Sequence, residues 1–174
     1  GLITGTKAHV RLDKSCHHSA RKYSDIKKLI ANSDLSSIAK KKSLEVFKRI
    51  AQVESSIHKV PIEKIHFHEV GAVDSIVDVV GGVVALELLK LDKIYSSPIN
   101  VGEGFVQCAH GSLPVPAPAT LKLLQGIPVF SNGVKKELTT PTGAAMIGFH
   151  ADSFGTLPAM KIIGDGYGAG DHII

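Results

Sequence analysis

The chain has 174 residues, 44% of them hydrophobic, and its 20 Lys and Arg exceed its 16 Asp and Glu to give a net charge of +4. Length and apolar content suit one folded region of ordinary size, and no apolar run reaches membrane-spanning length. Its start lacks a signal peptide's basic and apolar regions, so no membrane association and a cytoplasmic location are expected. Cys16 and Cys108 lie far apart without a CxxC spacing, which excludes a disulfide scaffold and a cysteine zinc site. The positive charge is local, at Lys40, Lys41 and Lys42 and at Lys135 and Lys136, and few aromatics accompany it. No nucleic-acid partner is therefore expected, while a phosphate-bearing small molecule is compatible with the charge. The chain opens on Gly and stops just after a Gly-rich stretch, so residues 1–174 are expected to be a single region of a larger protein.

Lys7 to Leu12 alternates weakly and reads as a strand, followed by a polar loop at Cys16, His17 and His18. Ser24 is placed to cap a short helix through Ile30. A longer helix starts near Ser36 or Ser37 and runs to about His58, with Val46, Ile50, Val53 and Ile57 on its buried stripe. Glu54 and His58 share a face of that helix and read as an ion pair, in preference to an extension of the histidine cluster that follows. Pro61 breaks the chain, Ile65 to Val70 reads as extended, and Val73 to Leu91 as a helix apolar nearly all round and therefore buried.

Beyond Lys93 the pattern turns to strands at Ile94 to Val101, Gly104 to Ala109 and Ile127 to Phe130. Pro114, Pro116 and Pro118 force an extended path, and Ala117 to Leu124 reads as a helix stopped by Gly126. Pro141 suits the first turn of a helix through Phe149, and Leu157 to Ile163 reads as a last strand. The fold class is mixed α/β or α+β, with a helix-rich first half and strands with helices in the second. Subdomains 1–91 and 92–174 are compatible with that division.

Chemistry concentrates in HFHEVGAVDSIVD, residues 66–78. His66 and His68 alternate to one side of an extended segment, whereas Asp74 and Asp78 share one helix face. Asp74 is open to two readings, a helix cap or a ligand; Asp78 lies a turn further in, where capping is a poor explanation. A buried carboxylate needs a proton, a hydrogen bond or a cation. Imidazoles mixed with carboxylates point to a transition metal, or to a metal plus a proton-transfer base. His66, His68 and Asp78 are thus candidate metal ligands, and Glu69, Asp74 and Asp78 candidate catalytic acids or bases.

A second constellation is ELTTPTGAA, residues 137–145. Thr139, Thr140, Thr142 and Gly143 surround a helix start, which suits a phosphate or carboxylate; plain capping uses the same residues and stands slightly ahead. Glu137, just outside, is a candidate acid, base or metal ligand. His110 precedes the proline series, whose stiffness makes its loop a candidate substrate-binding site. The Gly-rich run at residues 164–170 lacks a P-loop ending and points to close backbone packing.

Taken in order, HFHEVGAVDSIVD, GFVQCAHGSLPVPAPATLKLLQG, ELTTPTGAA and GYGAG closely resemble the nickel insertion proteins of the lactate racemase cofactor pathway, over residues from about Arg21 to Gly170. The resemblance implies a chelatase-like lyase that inserts nickel into a pyridinium bisthiocarboxylate mononucleotide, making the carbon–metal and sulfur–metal bonds of the nickel-pincer cofactor. It implies accompanying CTP hydrolysis, with magnesium or manganese, in regions beyond this chain. Lactate racemase and other maturation proteins are implied partners, and a homo-oligomer is compatible. On this reading the histidine–acid segment would receive nickel or assist deprotonation, and the threonine-rich helix start would hold the mononucleotide phosphate. Two departures bear on it: the additional N-terminal segment and the nucleotide-binding C-terminal region of the family are not seen here, so CTP hydrolysis is not expected of this chain alone. Ser19 and Ala20 also stand where the family carries histidines, which weakens a metal role for His17 and His18. The rival readings are a non-enzymatic metal-binding domain and a structural scaffold.

Overall fold

The computed structural model describes residues 4–11, 21–67, 73–108 and 110–170. A short strand, β1 (Arg21–Lys22), leads directly into α1 (Tyr23–Ala31). The cap differs from the expected Ser24, because the Lys22 N–H donates to Asp25 Oδ2 at 3.1 Å and the helix begins two residues earlier. Helix α2 (Ser37–His58) starts at Ser36 as expected: its hydroxyl accepts from the Ala39 N–H at 2.9 Å and donates to Glu87 at 2.8 Å. It ends at Lys59, in the left-handed conformation. After Pro61 come a 3₁₀ turn (Ile62–Lys64) and β2 (His66–Phe67), which pairs antiparallel with β1 in the register Arg21 to Phe67 and Lys22 to His66.

Helix α3 (Val73–Leu89) corrects one expectation. Ile76, Val79 and Val83 are buried, but Val77, Leu88 and Leu89 are exposed, and Asp74 and Asp78 stand on its exposed side. A sequence apolar nearly all round does not guarantee that protein atoms cover every side. Gly82 marks a close approach instead: a Cβ there would come within 2.7 Å of Met146 Cε.

The expected strand from Ile94 to Val101 is two short ones, β3 (Tyr95–Ser96) and β4 (Ile99–Asn100), interrupted by Pro98, which has no N–H to donate. The hairpin β5 (Phe105–Cys108) and β6 (Gly111–Pro114) follows, so part of the proline series is a strand. Helix α4 (Pro118–Leu123) begins with Pro at its first turn, and Gly126 takes positive φ beyond its end. Then come β7 (Val129–Phe130), α5 (Pro141–His150) and β8 (Ser153–Phe154). β3 pairs parallel with β8, β4 parallel with β7, and β5 antiparallel with β6. The class is the expected mixed α/β, helical early, with strands and helices later.

Two expected strands are absent among the described residues. Residues 7–11 and 157–163 are irregular, and near them only Thr6 and Gly168 form a bridge. Pro158 removes a ladder donor, and Leu157, Ile162 and Ile163 stand exposed without a partner strand.

The main core packs Ile26 and Ile30 of α1, Val46, Phe47 and Ile50 of α2 and Val79 of α3 against Phe67 and Ala145. Full burial of side chains of this size contributes about 1.5–3 kcal/mol each. A smaller cluster joins Val101, Leu124 and Ala144. Adjacent alanines of α5 thus face different clusters, and Arg49 of α2 ties down the far end of α5, donating to the Gly148 carbonyl at 2.8 Å.

Candidate functional site

A cavity of about 360 Å³ opens between the last turns of α2, the β5–β6 hairpin, the start of α4 and the start of α5. Its apolar walls include Phe67, Val106 and Leu113, and its polar groups include Glu54, His58, Cys108, His110 and Glu137. This is the size and makeup of a small-molecule site, apolar walls with a few convergent polar groups.

Each polar group has a local reason for its place. Glu54 and His58, four apart on α2, meet at 3.2 Å between Oε2 and Nε2, the expected ion pair. His110 is carried by the turn of the β5–β6 hairpin, where Gly111 supplies positive φ. Its ring centre lies 5.1 Å from that of His58, with the planes tilted by 35°. The Cys108 thiol donates across the same turn to the Gly111 carbonyl at 3.4 Å.

Glu137 is held by a bridge to Gly102, whose φ of +75° and tight contact with the Lys136 carbonyl admit no Cβ. The Leu138 N–H donates to the Val101 carbonyl, and Thr139 Oγ1 to the Asn100 carbonyl at 2.8 Å. Asn100 Oδ1 in turn accepts from the Gly102 N–H at 3.2 Å. The segment carrying Glu137 is therefore strapped along the end of β4. Thr140 caps α5, its hydroxyl accepting from the Gly143 N–H at 3.2 Å, and Pro141 follows into the cavity wall.

A family model described as "Nickel insertion protein" matches residues 1–174. The chain belongs to the nickel insertion protein family. A protein of Geobacillus kaustophilus named "Pyridinium-3,5-bisthiocarboxylic acid mononucleotide nickel insertion protein" is 54% identical, over 97% of this chain and 43% of its own. "Putative nickel insertion protein" is the name of similar proteins from Wolinella succinogenes, 51% identical over 98% of this chain and 43% of its own, and Syntrophobacter fumaroxidans, 46% identical over 99% and 44%. The chain thus spans less than half the length of these curated relatives. No solved structure matches significantly.

Within this chain, the residues singled out from the sequence fall in separate places. His110 and Glu137 line the cavity. Thr139 and Thr140 stand beside it with their hydroxyls engaged by the backbone, Thr142 is half-buried in the first turn of α5, and Gly143 is exposed. His66 is exposed on β2, while its neighbour Phe67 turns inward to core and cavity, as strand alternation requires. His68, Glu69, His17 and His18 lie outside the described residues. Partial desolvation raises the carboxyl of the exposed Asp78 above its ordinary range, and the charge of Asp74 adds to the shift. Neither aspartate belongs to the described lining of the cavity. Among the described residues, no three His, Cys, Asp or Glu side chains converge as a metal site.

Sequence reasoning paired Glu54 with His58 but did not bring that pair to His110. Nothing local signals it, because α2 and the hairpin meet only through the tertiary fold.

Proposed function

We propose that this chain holds the substrate in an enzyme that inserts nickel into a pyridinium bisthiocarboxylate mononucleotide, giving the nickel-pincer cofactor of lactate racemase. The observation that carries the reading is a cavity joining two imidazoles and two carboxylates, in a chain that the nickel insertion family matches end to end. The apolar walls take the pyridinium ring. The start of α5, with Thr139, Thr140, Thr142 and Gly143, takes the phosphate at the positive end of the helix dipole. Forming a carbon–nickel bond requires loss of a ring proton, and Glu137 is assigned as its acceptor. His66, His68 and Glu69, with Asp74 and Asp78 nearby in sequence, are assigned to nickel capture and proton transfer.

CTP hydrolysis with magnesium or manganese belongs, on this reading, to parts of the protein beyond this chain. The enzyme is a cytoplasmic, chelatase-like lyase that serves lactate racemase alongside other maturation proteins.

The test uses the full-length protein with purified mononucleotide, nickel and CTP, following nickel incorporation by mass spectrometry. Glu137→Gln is expected to slow insertion by about 10²–10⁴-fold while mononucleotide binding persists. A variant rate within about threefold of the parent would remove Glu137 from the chemistry.

A further inference from the structure

His58 and His110 come from elements distant in sequence, yet their ring centres stand 5.1 Å apart at one edge of a common cavity. Two imidazoles in neighbouring positions on one metal, each nitrogen about 2.0–2.1 Å from it, have ring centres roughly 5 Å apart. The observed spacing leaves room for one cation shared between the two rings. Glu54 engages Nε2 of His58 at 3.2 Å, which leaves Nδ1 as the nitrogen available to a metal. A carboxylate behind a ligating imidazole is the usual device for fixing the ring and its tautomer. Imidazole is also a donor suited to nickel.

We propose that His58 and His110 receive the nickel ion immediately before insertion, with Glu54 as the positioning residue for His58. This rests on the insertion reading above and adds where the cargo is held. A closed four-ligand site retains its metal, whereas two imidazoles leave positions for the substrate's sulfur atoms. Nickel remains divalent throughout and passes by ligand exchange, so no electron donor or acceptor is needed. Both imidazoles bind in their neutral form, and any proton on the ligating nitrogen goes to solvent.

The experiment titrates nickel(II) alone into the full-length protein by calorimetry and records X-ray absorption of the loaded protein. His58→Ala with His110→Ala is expected to remove one equivalent of nickel and the corresponding imidazole scattering. Glu54→Gln is expected to weaken that equivalent by about 10–100-fold, with partial rescue by Glu54→Asp. Should the alanine pair unfold, as judged by circular dichroism, His58→Gln with His110→Gln carries the same prediction. A folded double variant that binds as many equivalents as the parent, with equal affinity, overturns the proposal, as does a parent whose bound nickel shows no imidazole scattering. Equilibrium dialysis of the parent with nickel-free mononucleotide tests the underlying reading separately. Mononucleotide binding with unchanged nickel stoichiometry in the double variant sinks only the histidine site, whereas no mononucleotide binding sinks the insertion reading.

Discussion

Gly102 is the most exacting position in the support of the cavity, and its replacement by alanine separates two costs. Its φ is +75°, and an added Cβ would overlap the Lys136 carbonyl oxygen and lie 3.2 Å from Leu138 Cγ. The left-handed conformation alone costs a non-glycine residue about 1–2 kcal/mol. Forcing an atom into occupied space adds about 1–3 kcal/mol. Gly111, in the β5–β6 turn, supplies the control: its φ is +94° but a Cβ there meets nothing within 4 Å. Gly111→Ala should therefore lose only the first amount, and Gly102→Ala both. Urea unfolding followed by circular dichroism measures the two, with equal slopes required for the comparison. Gly102→Ala is expected to exceed Gly111→Ala by about 1–3 kcal/mol. Equal losses, within about 0.5 kcal/mol, would show that the Gly102 contact yields freely and that the bridge does not fix Glu137.

Asp78→Asn should raise the melting temperature slightly at neutral pH. The folded Asp78 carboxyl titrates above its ordinary value, so the fold favours the protonated form, and that contribution is lost as pH rises through the folded value. The gain from Asn should vanish below about pH 4, where the unfolded chain is also protonated, and a gain equal at both pH values would contradict this. His150 behaves in the opposite sense. Burial, then the charge of Lys42, lowers its value, and its Nε2 is buried with no hydrogen-bond partner among the described residues. Stability tied to neutral His150 is full above about pH 6.5 and is lost as pH falls toward the lowered value. His150→Gln should flatten the melting temperature between neutral pH and pH 5 relative to the parent, and an identical slope would argue otherwise. Phe67 is 2% exposed and sits 6.4 Å from the rings of both Tyr23 and Phe47. Phe67→Ala should cost about 3–5 kcal/mol in the same urea assay, and a loss below about 1 kcal/mol would mean that the cavity wall collapses without penalty.

The helices were legible because their signals are local. Ser36 caps α2, Val46 and Ile50 repeat on its stripe, and Pro141 opens α5 where expected. Ser24 misled because Asp25 competes for the same turn from one residue further on, and a carboxylate reaching back to Lys22 wins. Strands of two residues carry too little alternation to read, and β3 finds its partner only at β8, across most of the second half. The site was half legible. His110 and Glu137 stood out through the prolines and the helix start beside them, whereas His58 lay in an ordinary helical pair whose second partner arrives by tertiary packing.

Ala144 and Ala145 give α5 two neighbours at once, the four-helix cluster on one side and the smaller cluster on the other. Side chains this small leave no slack, so α5 cannot tilt toward one without opening a gap at the other. Its first turn is part of the cavity wall. Occupancy of the cavity and integrity of both clusters are then thermodynamically linked: a molecule seated against Pro141 should delay melting of the described region as one cooperative transition, and loosening either cluster should be felt as weaker binding.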